Sequence, residues 1–125
     1  MPRLSLIQTV ALAIGVAALG VSAHALQPAP KKAYLLGLID VTNPQQYGEY
    51  TKLTPAIIEQ FGGHFVARGG RSTTLEGAPA PSRVAVIEFP SFERAQAFYN
   101  SPEYTAARKV REGAAKVQFV LVEGQ

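Results

Sequence analysis

The chain has no cysteine, no tryptophan, one methionine and two histidines among 125 residues. The missing cysteine excludes disulfides, thiolate nucleophiles and cysteine metal sites. His24 falls in an N-terminal apolar segment, which leaves His64 as the one imidazole for ligation or proton transfer. A metal would need several carboxylates in step with His64, and no spacing offers them. A heme would have His64 alone as its axial ligand. No metal and no cofactor is therefore expected. Charge is also sparse, at 17% of residues, and the basic residues are scattered rather than striped. That argues against a nucleic-acid surface. The lone Arg68-Gly69-Gly70 is no RGG box, because such boxes act through repetition. Gly62-Gly63 and Gly69-Gly70 lack phosphate-loop spacing and read as turns.

What is present begins with an export pattern. Arg3 supplies a short positive start, Leu4 to Val21 is almost wholly apolar, and Ala23-His24-Ala25 is a small-x-small cleavage site. This is the form of a secretory signal peptide over residues 1–25. The alternative is an uncleaved membrane anchor, since the apolar run is borderline for a span of ~20 residues. Cleavage removes 25 of the 125 residues and leaves 100, enough for one domain and too few for two. The 12 Lys and Arg, less Arg3, stand against 9 Asp and Glu, so the mature charge is +2. A periplasmic or secreted domain without disulfides must be held by its core alone. Residues 26–32, with Gln27-Pro28-Ala29-Pro30, read as an extended linker.

The domain proper, residues 33–125, punctuates itself clearly. Ala33 to Asp40 is an apolar strand. Asn43 then caps a helix from Pro44 to about Phe61, with Tyr47, Tyr50, Thr54, Ile57, Ile58 and Phe61 at helical spacing. Pro55 lies inside it and cannot donate to the Thr51 carbonyl, which predicts a kink. Gly62-Gly63 ends the helix. His64 to Arg68 is a second strand, Gly69 to Ser82 a loop, and Arg83 to Phe89 a third strand. Ser91 caps a second helix and Ser101-Pro102-Glu103 starts another helical piece to about Glu112. Lys116 to Glu123 is the last strand.

The order β-α-β-β-α-β is the α+β, ferredoxin-like split arrangement, a four-stranded antiparallel sheet with its helices on one face. Leu36 and Leu38 face one way on the first strand, and Leu35 and Ile39 the other. Phe119 and Leu121 likewise oppose Val120 and Val122 on the last. Helices cover one face only, so the other needs a partner. The simplest is a second copy, sheet to sheet.

A resemblance agrees with this reading. It rests on Val41-Thr42-Asn43-Pro44 with Tyr47 and Tyr50, Gly62-Gly63, Arg68-Gly69-Gly70, Leu75-Glu76-Gly77, Arg83 and Ile87-Glu88-Phe89-Pro90-Ser91. It continues through Ala97-Phe98-Tyr99, Ser101-Pro102-Glu103-Tyr104, Arg111 and Val122-Glu123-Gly124. On these residues the mature chain resembles the domain of unknown function 1330 family, within the dimeric α/β-barrel superfamily. The resemblance implies a ferredoxin-like fold forming a barrel homodimer. It implies no activity, although other members of the superfamily include heme-degrading and quinol-forming monooxygenases and muconolactone isomerases. The chain departs from the usual pattern in its leader and in Phe98, where a tryptophan is expected.

Strand alternation sorts the polar residues. Asp40 shares a face with Leu36 and Leu38, His64 and Arg68 with Val66, and Glu88 with Val84 and Val86. If those faces coincide, Asp40, His64, Arg68 and Glu88 converge at one end of the sheet as a small-molecule site. Arg68 would clamp a carboxylate or enolate, and His64 would serve as acid or base. The competing reading is a structural Arg68–Glu88 ion pair between neighbouring strands. Tyr47, Tyr50, Tyr99 and Tyr104 lie on helical stripes and read as core with hydrogen-bonded hydroxyls. Arg108, Lys109 and Arg111 sit where a helix C-terminus favours cations. Two functions stay open: a small-molecule-binding domain, with cofactor-independent catalysis as its extension, or a non-catalytic structural homodimer.

Overall fold

A computed structural model describes residues 28–79 and 81–125; the expected signal peptide and its cleavage site lie outside them. The elements run β1 (Ala33–Val41), α1 (Pro44–Gln60), β2 (His64–Arg68), β3 (Arg83–Phe89), α2 (Phe92–Tyr99), α3 (Pro102–Val110) and β4 (Ala115–Glu123). The strands form one antiparallel sheet in the order β2-β3-β1-β4, with both long central pairings made by β1. This is the ferredoxin-like α+β fold.

Local signals place the elements. Asn43 Oδ1 accepts from the Gln46 N–H at 3.1 Å and Pro44 follows as the first helical residue. Ser91 Oγ accepts from the Arg94 N–H and Ser101 Oγ from the Tyr104 N–H, both at 3.1 Å. Each cap satisfies a donor that the first turn leaves orphaned. At the end of α1 the chain turns through Gly62 at φ +80°, and the Gly63 N–H donates to the Ile58 carbonyl at 3.0 Å.

The helices lie on one face of the sheet. There Leu35, Ile39, Ala85, Ile87 and Phe89 pack against Tyr47, Tyr50, Ile58, Ala95, Phe98 and Tyr104. Phe98 fills the place where a tryptophan was expected. It is 1% exposed, with its ring centroid 5.2 Å from that of Phe89 and 4.4 Å from that of Tyr104. Phe119 reaches this core across Gly37, where a Cβ would stand 2.7 Å from its ring. The opposite face carries Leu36 between Val86 and Val120, and Leu38 beside Val84. No helix covers it among the described residues, and Leu38, Val120 and Val122 remain 37%, 43% and 45% exposed.

Two features were not expected. The pairing of β2 with β3 slips between Phe65 and Ala67, so Val66 forms a β-bulge. Alternation restarts after it: Phe65 stands opposite Ile87, and Arg68 opposite Ala85, both on the helix side. The second concerns Pro55. α1 runs through it, as expected, and what was not expected is the donor that replaces its missing N–H. The carbonyl that Pro55 cannot serve, on Thr51, accepts instead from Arg68 Nη2 at 2.9 Å. The Thr54 hydroxyl approaches the same oxygen at 3.4 Å.

This arrangement predicts a coupling between two residues of different elements. Arg68→Ala leaves the Thr51 carbonyl short of a donor and should cost about 1 kcal/mol. Pro55→Ala restores the helical N–H, and in that background Arg68→Ala should cost close to nothing. Urea unfolding of the four proteins of this double-mutant cycle measures the difference. Strict additivity would contradict the arrangement.

Candidate functional site

The bulge at Val66 turns Arg68 inward beneath α1. Arg83, the first residue of β3, arrives beside it, because the Gly69 N–H donates to the Val84 carbonyl at 2.9 Å and keeps the two strand ends together. Each guanidinium is fixed by its surroundings. Arg68 lies over the Phe65 ring at 4.4 Å from its centroid and is tied to Thr51. Arg83 rests against the backbone of Gly69, where a Cβ would stand 2.5 Å from Nη1, and lies 5.9 Å from the centroid of Tyr47. Gly69 also takes φ +64°, so glycine is required there twice over. Among the described residues neither arginine forms an ion pair.

These two cations stand at an opening between α1 and the sheet, where Arg83 lines both the outer and the inner space and Arg68 the inner one. Outside is a groove of about 440 Å³, walled by Pro44, Tyr47, Gly48, Thr51, Gly69 and Arg83. Inside, past Tyr47 and Thr51, is a cavity of about 30 Å³ lined by Tyr50, Phe65, Phe98, Tyr104 and Phe119. A space of that size holds one or two waters. The outer groove is within the usual range for small-molecule sites. No Asp, Glu or His lines either space. The whole opening is therefore apolar and aromatic, with hydroxyls and two positive charges as its polar groups.

At the back of the cavity the Tyr50 and Tyr104 hydroxyls meet at 2.6 Å. Burial first, and then the neighbouring Tyr104, push the Tyr50 phenol far above its ordinary value, so it stays protonated. Burial also raises Tyr47, against the pull of Arg83 and Arg111. Behind this pair stands Arg111, 9% exposed, over the faces of Tyr50 and Phe119 at 5.1 and 5.6 Å. Burial works against its charge, and the Tyr50 and Tyr104 hydroxyls facing it outweigh that and hold its pKa up.

The four residues expected to converge do not. Asp40 lies on the open face at the far end of β1, where its carboxylate accepts from the Ser82 N–H at 2.8 Å. Glu88 is opposite Tyr34, six residues away along β1 and so roughly 20 Å distant. His64 and Glu88 do meet: His64 Nε2 is 3.6 Å from the carboxylate. The expected Arg68–Glu88 pair is absent, because Lys32 takes Glu88 at 3.1 Å from the other side and the bulge carries Arg68 to the opposite face. The Lys32 hydrogen bond holds the Glu88 carboxyl below its ordinary range. Arg83 and the Tyr50–Tyr104–Arg111 group were missed as site residues. The usable signal was Pro55, whose orphaned carbonyl calls for an outside donor. Among the described residues no three His, Asp or Glu side chains gather as metal ligands.

Comparison with known proteins bears on family and fold. Residues 32–125 match the family model described as domain of unknown function (DUF1330). The chain belongs to the DUF1330 family. No curated protein sequence matches this DUF1330 chain. Among solved structures, a protein of unknown function from Rhodopseudomonas palustris superposes with a TM-score of 0.60 at 19% identity, over 88% of this chain and 94% of that one. A hypothetical protein from Arabidopsis thaliana gives 0.57 at 14% identity, over 80% and 94%. SnoaB, a cofactor-independent oxygenase from Streptomyces nogalater, gives 0.53 at 12%, over 76% and 94%. At such identities the likeness is one of fold.

The buried Tyr50 phenol sets an alkaline limit on this DUF1330 domain. Its folded pKa lies above the ordinary 10.0, so the stabilisation is complete below pH 10 and is lost as pH rises further. The slope for one proton is about 1.4 kcal/mol per pH unit. Tyr50→Phe should flatten that slope, while costing ~1–3 kcal/mol at neutral pH through the unpaired Tyr104 hydroxyl. Chemical denaturation between pH 8 and 11 checks both. An unchanged slope in the variant would show that Tyr50 is not the titrating group.

Proposed function

We propose that this protein is exported and works as a sheet-to-sheet homodimer that binds a small organic anion in the groove under α1. One observation carries the ligand class: Arg68 and Arg83, from neighbouring strands, converge at an aromatic opening with no carboxylate to neutralise them. Fixed guanidinium forks suit a carboxylate or enolate. The apolar walls formed by Val41, Pro44 and Tyr47 suit a hydrocarbon or aromatic body. The resemblance in fold to a cofactor-independent oxygenase is compatible with catalysis on such a molecule. The groove itself supplies binding and orientation. Its lining has no imidazole or carboxylate to act as base, and His64 is on the other face.

The dimer is supported by the open face of the sheet. Leu36, Leu38, Val84, Val86, Val120 and Val122 form a continuous apolar surface of a kind that soluble monomers rarely leave exposed. Leu36→Asp would place an uncompensated charge at its centre, at a cost of several kcal/mol in a dimer. Light scattering should find a dimer for the native protein and a monomer for this variant. A native monomer at micromolar concentration would remove the dimer.

The ligand is tested on protein recovered from its own compartment, where intact mass should start near Leu26. Native mass spectrometry should show an acidic small molecule retained by the native protein. Arg83→Gln should release it while leaving the melting temperature within a few degrees of native. Retention undiminished in both Arg83→Gln and Arg68→Gln would reject the groove as the site. Loss of the molecule only together with loss of the fold would favour a purely structural dimer.

A further inference from the structure

α3 ends in three cations, Arg108, Lys109 and Arg111. Cations near a helix C-terminus ordinarily answer its unpaired carbonyls. Here other donors serve those carbonyls. Gln46 Nε2 donates to the Val110 and Glu112 oxygens at 3.0 and 2.8 Å, and the backbone N–H groups of Arg111 and Glu112 serve Arg108 and Lys109. Among the described residues none of the three cations forms an ion pair.

The two arginines are held by aromatic faces instead. Arg108 lies 4.6 Å from the Tyr99 centroid and 5.7 Å from that of Tyr104, and its Nη1 donates to the Tyr99 hydroxyl at 3.1 Å. Arg111 is stacked on Tyr50 and Phe119. The Nε atoms of both are shut away from solvent without a hydrogen-bond partner, so the terminal nitrogens are the donors left to act. Arg108 lies in the last turn of α3 and Arg111 is the buried residue that caps its end. They share a groove of about 390 Å³ with Lys109, the Thr105 hydroxyl and one acid, Glu112. Ring faces offset part of the cost of holding charge out of water. A bound counter-anion would recover the rest.

We propose that the groove at the end of α3 is a second anion site, separate from the groove under α1, for a dianionic tetrahedral oxyanion: phosphate or a phosphate ester. Three cations against one acid favour a dianion over a carboxylate. The terminal nitrogens of Arg108 and the Lys109 ammonium, with the Arg111 charge behind them, match the several oxygens of a phosphate better than the two of a carboxylate. The aromatic stacking fixes the heads before the ligand arrives, so little side-chain freedom is lost on binding.

The test is an arginine Nε–Hε correlation spectrum of the purified protein, titrated with inorganic phosphate and then with glycerol phosphate, against sodium chloride at matched ionic strength. The Arg108 and Arg111 signals should shift saturably with phosphate and not with chloride, ahead of those of Arg68 and Arg83. Tighter binding of the ester assigns the ligand to a phosphorylated molecule, and equal binding assigns it to the free anion. Arg108→Gln should weaken binding by roughly tenfold or more. Lys109→Gln, at an exposed position, should weaken it by a smaller factor without touching the aromatic packing, and it decides the matter if Arg108→Gln does not fold. Shifts that grow linearly without saturating, an equal response to chloride, or unchanged affinity in the folded variants would overturn the proposal.

Discussion

Pro55 has no N–H for the Thr51 carbonyl, and Arg68 supplies the missing donor from a different element. To do so Arg68 must point toward α1, and it points there because β2 carries one extra residue at Val66. Bulges commonly re-aim a side chain in this way. The same hydrogen bond ties the edge strand β2 to the middle of α1. It also sets a fixed positive charge beside Arg83. A defect in a helix, a defect in a strand and the electrostatics of the groove are thus one arrangement. Removing any part of it changes the other two.

The sheet divides the work between its faces. On the helix side, aromatic packing around Phe98 and Tyr104 builds the core and leaves a small polar-backed cavity behind the groove. On the other side, aliphatic residues with titratable groups at the two ends form a surface suited to a second sheet. Lys32, His64 and Glu88 gather at one end, and Asp40 opposite Lys116 at the other. Among the described residues, the arginines of the helix side have no carboxylate partner. Arg68, Arg83, Arg108 and Arg111 are all held by rings, hydroxyls or backbone rather than by carboxylates.

The element order and nearly every boundary could be read from the sequence. Asn43, Ser91 and Ser101 are strong caps, Gly62 is a strong stop, and apolar runs of strand length lie between them. The α3 helix ends at Val110 rather than Glu112, and β4 begins one residue earlier than expected. The site was less legible. Alternation assigns a residue to a face, and that held for Asp40, His64 and Glu88. It says nothing of position along the strand, which depends on register, and so Asp40 and Glu88 were brought together wrongly. Nothing in His64-Phe65-Val66-Ala67-Arg68 announces a bulge, since Val66 is an ordinary strand residue without glycine beside it. Lys32 was missed as the partner of Glu88 because it belongs to the segment before the first strand. Tyr47, Tyr50 and Tyr104 were read correctly as core, but their spacing could not show that their hydroxyls line one cavity.

The central claim is that two uncompensated arginines under α1 receive an organic anion. Crystals of the protein soaked with 4-iodobenzoate test this directly, because the iodine marks both the site and the orientation by its anomalous signal. The carboxylate should lie between Arg68 and Arg83, with the ring against Tyr47 beneath α1. Iodine confined to the open face of the sheet, or a groove left empty at saturating concentration, would contradict it.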